Sequence, residues 1–174
     1  MFATEHYVQA RRGSKGSSRF VFMQKLVTEY QDTPKIEARR QIIANLANFA
    51  YDPYNFAMIE ELHILDLFLD GLEEEDEQLR EFGMGGICNC ACDDGFAAVI
   101  LSDKSNVKHI VKQLSSTNEN TVVSALTTLY YLLDGENGAL YIKKPNILKA
   151  IHTYAECDNV RIRNVASCLL KKCS

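Results

Sequence analysis

The sequence of 174 residues contains no tryptophan, and proline and glycine are scarce, at three and nine positions. A chain built from many short strands needs frequent turns, and proline and glycine are the residues that mark turns. Their scarcity therefore favours helices. No single class of residue dominates, because 47% of the residues are hydrophobic and 24% are charged. This balance excludes disordered, collagen-like and other low-complexity chains, and the length fits one globular domain.

Long apolar runs and an N-terminal secretory signal are also lacking. No run reaches the roughly 18 apolar residues of a membrane helix, so we expect no association with a membrane. The start of the chain lacks the charged region, apolar run and small-residue cleavage site of a signal peptide, which predicts an intracellular protein. The six cysteines are therefore expected to be reduced thiols.

A net positive charge is missing as well, since 19 Lys and Arg residues face 23 Asp and Glu residues. The net charge of −4 and the isoelectric point near 5.6 give no overall attraction to phosphate backbones. Any contact with RNA would have to come from a local patch or from a partner. The acidic run at residues 73–77 is expected to be a solvated loop, with docking of a basic partner segment as the alternative.

The sequence does contain an internal repeat, with a period in the range of about 40 to 47 residues that is typical of some helical repeats. We call each set of equivalent positions in successive units a column. Two columns run at a nearly constant spacing through a long helix of each unit: Ile42, Gly83, Ala125 and Ala166, and Leu46, Ile87, Leu129 and Leu170. Three more columns run through a second helix: Leu65, Val107 and Leu148; Phe68, Ile110 and Ile151; and Leu72, Leu114 and Ala155. Two helix faces that share one period indicate stacked helical repeats.

Turn and capping residues divide each unit into helices. Thr33 before Pro34 predicts one helix start, and Ser116 with Glu119 has the pattern of a capping box that starts another. Turn residues follow each long helix and predict its end: Asp52-Pro53, Asp93-Asp94-Gly95 and Asp134-Gly135. After each turn a short apolar helix is predicted, at residues 56–62, 96–101 and 139–142.

These signals predict an all-α protein, an α-solenoid of about three full repeats with a cap helix at each end. We expect an N-terminal helical cap at residues 1–34, in which residues 11–19 form a basic, flexible loop rich in glycine and serine. The repeat domain is predicted at residues 35–174, with repeats at 35–72, 76–114 and 117–155 and a cap helix at 158–174. Three stacked repeats are close to the minimum for a continuous core.

Candidate chemistry is limited to two clusters of small residues. Cys88, Cys90 and Cys92 offer thiol ligands for a soft metal ion, but on a helix Cys90 points away from the other two, and no histidine is close in sequence. We predict that they pack a repeat helix and that no metal is bound. The glycines within residues 83–86 lack the lysine and hydroxyl residue of a phosphate loop, and they predict a close approach by another helix.

No catalytic arrangement is visible in the sequence. The four histidines are dispersed, and no Ser-His-Asp or Cys-His order carries a local signature. We therefore predict that the protein is not an enzyme and that it uses no cofactor and no small-molecule substrate.

Asparagine recurs in the long helices, and half-buried amides must be hydrogen-bonded. Asparagines at one register of successive helices could bind the backbone of an extended peptide, or each could tie its own helix to a neighbouring turn, and both interpretations stay open. In the third unit the position equivalent to Asn89 is Tyr131. We predict a partner-binding surface on the concave face that comprises Asn45, Asn48, Asn89, Tyr130 and Tyr131.

Three segments together resemble an armadillo repeat: Ala-Asn-Leu-Ala-Asn-Phe-Ala at 44–50, Asp-Pro-Tyr-Asn at 52–55 and Ile-Leu-Asp-Leu-Phe-Leu-Asp-Gly-Leu at 64–72. The resemblance to the armadillo-repeat family runs from residue 26 over most of the chain and implies an armadillo-type, right-handed solenoid, with residues 11–25 as an insertion. Armadillo repeats usually carry a glycine in the turn before the third helix, where this chain has His63, Asn106 and Asn146. We expect the geometry of that turn to differ.

The resemblance implies an adaptor and not an enzyme. In the branch of the family that it indicates, small nuclear proteins associate with the minor, U12-type spliceosome as a stable pair with a protein that carries an RNA-recognition motif. It thus implies nuclear localisation, a role in pre-mRNA splicing, spliceosomal protein partners and indirect contact with RNA. Two rival hypotheses are a generic armadillo peptide-binding scaffold unrelated to splicing, and an enzyme or metalloprotein built on residues 88–92.

Overall fold

The structure is a computed structural model that describes Thr4 and residues 18–174. Residues 18–174 contain eleven α-helices and two short 3₁₀ helices, and no strand. The α-helices in chain order are α1 (Arg19–Asp32), α2 (Ile36–Ala50), α3 (Phe56–Glu61), α4 (Ile64–Gly71), α5 (Glu77–Cys90), α6 (Asp94–Ser102), α7 (Lys104–Lys112), α8 (Glu119–Leu132), α9 (Gly138–Ile142), α10 (Pro145–Ala155) and α11 (Val160–Cys173). The 3₁₀ helices are Pro53–Asn55 and Gln113–Ser115. The predicted all-α class is confirmed.

The four long helices α2, α5, α8 and α11 pack side by side in chain order, each against the next. The second helix of each unit (α4, α7 or α10) packs against the long helix that follows it. The predicted columns form the contacts, because every member of the column that begins at Ile42 is buried, as are Leu46, Ile87 and Leu129. Neighbouring units therefore share one continuous apolar core, which confirms the predicted solenoid.

The turns after the long helices lie where the sequence predicts them. Helices α2, α5 and α8 end at Ala50, Cys90 and Leu132, directly before the Asp-containing turns. Asp52 and Asp93 then accept hydrogen bonds from backbone N–H groups of the next element, from Tyr54 N at 3.2 Å and from Gly95 N at 2.9 Å. The same aspartate thus ends one helix and starts the next.

Two predicted helix starts are wrong by two residues. Thr33 lies at the end of α1, with its N–H donating to Glu29 O, because Pro34 holds the residue before it in an extended conformation. Helix α8 is capped by Asn118 and not by Ser116, since the Asn118 side chain accepts from Asn120 N at 2.9 Å. Ser116 instead accepts from Asn118 N at 3.1 Å and shapes the loop before the cap. The long helices α5, α8 and α11 share a capping column: Asp76, Asn118 and Asn159.

The predicted close approach of a helix to the glycines of α5 is confirmed at two of the three positions. A Cβ atom at Gly83 would lie 2.8 Å from Phe68 O, and one at Gly86 would lie 2.6 Å from the Phe68 ring. Helix α4 therefore packs directly on the backbone of α5. Gly85 differs, because no atom lies within 4 Å of the place of its Cβ atom.

The turn before α4 keeps the left-handed conformation that glycine favours, although it contains His63. His63 has a φ angle of 52° and precedes the first residue of α4. A non-glycine residue in this region carries a small conformational cost. The side chain is exposed and its Nδ1 lies 3.7 Å from Asp66 Oδ2.

The acidic run at residues 73–77 lies before and at the start of α5, and Glu73, Glu75 and Glu77 are exposed as expected of a solvated loop. Glu74 and Asp76 are half-buried and paired. Arg39 and Arg40 of α2 contact this run: Arg39 Nη2 lies 2.5 Å from Glu74 Oε1, and the guanidinium of Arg40 donates to both carboxylate oxygens of Asp76. These ion pairs hold the loop before α5 against α2.

The basic stretch of the N-terminal cap is described only from its end. Residues 11–17 lie outside the described residues, whereas Ser18 caps α1 and Arg19 is its first residue. Residues 19–25, which the resemblance includes in an insertion, are helical. Within residues 18–174, none of the helices has the length and apolar content needed to cross a membrane.

Candidate partner-binding surface

One face of the stacked long helices carries most of the predicted site residues. Asn48, Asn89, Tyr131 and Lys172 occupy equivalent positions in α2, α5, α8 and α11, one repeat period apart from each to the next. We call the surface marked by these four residues the long-helix face. Asn48 and Tyr131 are exposed, whereas Asn89 and Lys172 are half-buried. A segment laid across the four helices would meet these side chains in order.

Asn89 ties two long helices together. Its Nδ2 atom donates to Ala47 O at 3.0 Å, from α5 to the last turn of α2. Backbone carbonyls in the last turn of a helix lack a partner within the helix, so the amide satisfies an otherwise open acceptor. For Asn89 the structure thus shows the tie between helices, and its amide nitrogen is already engaged.

Lys172 makes the equivalent tie two interfaces further along, from α11 to α8. Its ammonium donates to Tyr130 O at 2.8 Å and to Asp134 Oδ2 at 2.5 Å, and it lies 4.0 Å from the centre of the Tyr130 ring. Tyr130 is in the last turn of α8, as Ala47 is in α2. Sequence reasoning did not include Lys172 in the site, although a step of one repeat period from Tyr131 reaches it.

The two tyrosines of α8 differ in exposure. Their rings meet edge to face with centres 5.8 Å apart. Tyr130 is half-buried beneath the Lys172 ammonium, whereas 39% of Tyr131 is exposed. Partial burial raises the pKa of the Tyr131 phenol, which therefore remains a neutral hydrogen-bond donor at physiological pH. Tyr131 can reach a partner, and Tyr130 supports it from behind.

The two asparagines of α2 also differ. The Asn48 side chain is exposed and forms no hydrogen bond with another residue that the structure describes. Asn45 is half-buried, and its Oδ1 accepts from Gln41 Nε2 at 3.4 Å. Asn45 belongs to the column of Gly86, which faces α4, so it stands beside the long-helix face. Asn48 is the asparagine most open to a partner.

Between Asn48 and Tyr131 the long-helix face includes small residues of α5. Gly85 opens onto free space there. Burial raises the pKa of the Cys88 thiol to about 11 and that of Cys90 to about 12, so both are protonated at physiological pH. Protonated thiols are poor metal ligands. Among residues 18–174 no three His, Cys, Asp or Glu side chains converge in a way that could hold a metal ion.

A contact that sequence reasoning missed lies next to Asn48, at the α2 end of the long-helix face. The guanidinium of Arg19, in α1, donates to Asn55 Oδ1 at 3.0 Å and lies 5.7 Å and 5.4 Å from the ring centres of Phe49 and Tyr54. Asn55 in turn donates to Phe49 O at 2.7 Å. The sequence offered no signal for this pairing, because Arg19 ends a basic stretch that is typical of a solvated loop.

Comparison with known proteins agrees with this architecture. No family model matches the chain. A designed armadillo repeat protein in complex with the peptide (KR)4 has a TM-score of 0.75 and 17% identity, and the match covers 87% of this chain and 64% of that structure. A computationally designed armadillo repeat protein for modular peptide recognition has a TM-score of 0.76 and 17% identity, with 97% and 68% covered. At these identities the structures show a shared fold, and this chain spans less than two thirds of the first one.

A closer relationship is found at the level of sequence. Armadillo repeat-containing protein 7 from Mus musculus is 37% identical over 154 residues, which cover 88% of this chain and 77% of the mouse protein. The match thus extends over most of the chain. The chain therefore belongs to the family of armadillo repeat-containing protein 7.

Proposed function

We propose that this protein is a non-enzymatic adaptor that holds a segment of another protein on its long-helix face. The observation that carries the proposal is the continuous column of polar and aromatic side chains that crosses four stacked helices. Solenoids present extended surfaces of this kind for binding. A solved armadillo structure of the same fold was determined in complex with a peptide, which supports the same mode of binding here.

The side chains of this face divide into two roles. Asn48 and Tyr131 are exposed and supply an amide and a phenol that can bond to the backbone of an extended segment. Asn89 ties α5 to α2, the helix of Asn48, and Lys172 ties α11 to α8, the helix of Tyr131. Gly85 leaves room for the segment to approach the α5 backbone.

The cellular role that we propose is pre-mRNA splicing in the nucleus. The protein would act as a component of the minor, U12-type spliceosome, paired with a protein that carries an RNA-recognition motif. Membership of the family of armadillo repeat-containing protein 7 and the resemblance described above support this role. The net charge of −4 fits a protein whose partner supplies the contact with RNA.

The alternative is a generic armadillo peptide-binding scaffold that works outside splicing. The designed armadillo repeat protein in complex with the peptide (KR)4 favours this alternative, because a protein of this fold binds a peptide there without spliceosomal components. Within residues 18–174 no cluster of three His, Cys, Asp or Glu side chains favours a metalloprotein built on residues 88–92, and burial raises the pKa values of the Cys88 and Cys90 thiols there.

Affinity purification of the tagged full chain from nuclear extract, with quantitative mass spectrometry, distinguishes the two. Our proposal predicts enrichment of one RNA-recognition-motif protein at near-equal amount, together with U12-type spliceosomal proteins, and nuclear signal in fluorescence imaging. Enrichment of peptide-bearing partners without any spliceosomal protein would favour the generic scaffold and refute the splicing role.

A further inference from the structure

Two grooves lie away from the long-helix face, at successive junctions between the shorter helices. The first lies between α3 and α4 on one side and α6 on the other, with a volume of about 460 Å³. The second lies between α7 on one side and α9 with α10 on the other, with a volume of about 200 Å³. Each groove includes the junction between the second helix of one unit and the short helix of the next, so the two grooves are one repeat apart.

The first groove has an apolar floor and an acidic rim, and we call it the acidic groove. Phe56 and Phe96 meet edge to face on its floor with ring centres 5.4 Å apart, and half of the Val99 side chain is exposed beside them. The carboxylates of Glu60 and Asp66 are exposed at its rim.

The second groove combines an apolar floor with lysines, and we call it the basic groove. Val107 and Ile147 form its buried floor. The exposed lysines at its rim are Lys104, Lys108 and Lys144. Within the part of the chain that the structure describes, none of these three lysines forms an ion pair. Their charges are therefore open to a ligand.

The charge reverses at one defined position of the repeat. Leu65 of the acidic groove and Val107 of the basic groove belong to the same column. The residue that follows is Asp66 in the first case and Lys108 in the second, and each is exposed at the rim of its groove. Equivalent apolar sites thus carry opposite charges on adjacent repeats.

We propose that the two grooves form one docking surface for an extended segment of a partner protein that carries a basic and an acidic residue group, each next to an apolar anchor. The basic group lies at Glu60 and Asp66, and the acidic group lies at Lys104, Lys108 and Lys144. Charge complementarity selects the mixed segment over one of a single charge sign. The surface uses helices other than those of the long-helix face, so it does not depend on the function proposed above.

The spacing of the repeats sets the spacing of the anchors. Packed helices lie about 8–10 Å apart, so equivalent grooves are separated by about 10 Å. A polyproline II segment rises about 3.1 Å per residue with three residues per turn, so anchors three residues apart face the same side at this distance. The peptide Lys-Phe-Lys-Glu-Phe-Glu is a suitable probe.

Fluorescence anisotropy with the full chain tests the proposal with three labelled peptides: the mixed probe, its all-lysine version and its all-glutamate version. The mixed probe is expected to bind about fivefold more tightly than either of the others, given the modest strength of exposed charge pairs. Lys108→Asp leaves Lys104 and Lys144 in the basic groove, so it should reduce the preference for the mixed probe over the all-lysine peptide without reversing it. Asp66→Lys leaves Glu60 in the acidic groove, so it should reduce the preference over the all-glutamate peptide. The double exchange should reduce the preference for the mixed probe over both of the other peptides. Lys149→Asp, an exposed site that lines neither groove, is the matched control and should change the peptide preference little.

Several outcomes overturn the proposal. Equal affinity for all three peptides would refute the selection by charge. Absence of binding at millimolar concentrations of the mixed probe would refute the docking site itself. Concentration-dependent self-association in sedimentation, abolished by either single exchange, assigns the surface to a second copy of the chain. Binding of an RNA oligonucleotide that only Lys108→Asp weakens assigns the basic groove to RNA. Circular dichroism of each variant confirms that the exchanges at exposed sites leave the fold intact.

Discussion

The neighbouring glycines of α5 allow a stability prediction with an internal control. Replacing Gly86 with Ala places a methyl group 2.6–2.7 Å from three ring carbons of Phe68, whereas carbon atoms in favourable contact lie about 3.5–4.0 Å apart. The ring cannot swing away, because Phe68 is fully buried. Overpacking of this kind costs about 1–3 kcal/mol, and the higher helix propensity of alanine recovers about 1 kcal/mol. Gly86→Ala should therefore lower the free energy of unfolding by up to about 2 kcal/mol.

Gly85→Ala is the matched control, because its methyl group meets no atom within 4 Å. This variant should gain about 1 kcal/mol from helix propensity alone. The propensity gain is common to both variants, so the difference between them isolates the overpacking, about 1–3 kcal/mol. Urea unfolding followed by circular dichroism measures it, and in thermal melts the two variants should differ by several degrees, about 2–4 °C per kcal/mol. Equal stability of Gly85→Ala and Gly86→Ala would refute the packing of α4 on α5.

Three further predictions concern charge, thiols and the tie between helices. The hydrogen-bonded guanidinium of Arg40 holds the pKa of Asp76 in the folded protein below its usual value. The ion pair therefore stabilises the folded protein above the ordinary aspartate pKa of about 3.9, and this stabilisation is lost as the pH falls through the lowered pKa of the folded state. Asp76→Asn should flatten this part of the pH dependence of the free energy of unfolding in urea, and an unchanged slope would contradict the pairing. Cys90 is buried and its thiol has a pKa of about 12, whereas Cys168 is exposed. Iodoacetamide should therefore label Cys168 in the folded protein and Cys90 only after unfolding, which mass spectrometry of the digested protein measures. Labelling of Cys90 in the folded protein would contradict its burial. Asn89→Ala should lower the free energy of unfolding by about 1 kcal/mol through loss of the bond to α2, and a stability equal to that of the wild type would show that the tie contributes nothing.

The solenoid was predictable because repeat packing is encoded in local periodicity. The column from Ile42 to Ala166 is apolar or small in every unit, and those residues are the ones that meet between neighbouring long helices. Capping was less predictable, since several polar residues compete at each helix start. At α8 the side chain that reaches the free N–H groups belongs to Asn118, and only the path of the preceding loop decides that it is not Ser116.

The candidate site was predictable in position but not in role. Asn48 and Asn89 are identical residues at equivalent places, yet only Asn89 meets a carbonyl of a preceding long helix. The helix before α2 is α1, which contributes Arg19 at this end of the face. The roles therefore depend on which element precedes each helix in space, and a single sequence does not state this. The opposite charges of Asp66 and Lys108 likewise gain meaning only once each is placed at the rim of a groove.

Binding to the long-helix face is tested most directly by the affinity of the purified partner from nuclear extract for the wild type and for the Asn48→Ala/Tyr131→Ala double variant. Asn48 is exposed, and Tyr131 gives up its ring contact with Tyr130, so the double variant should stay folded with a melting temperature lowered by only a few degrees. Surface plasmon resonance should show a loss of affinity of tenfold or more, as expected for two lost contacts of about 1 kcal/mol each, whereas Lys149→Ala should bind as the wild type does. An unchanged affinity in the folded double variant would contradict the assignment of the long-helix face as the partner-binding surface.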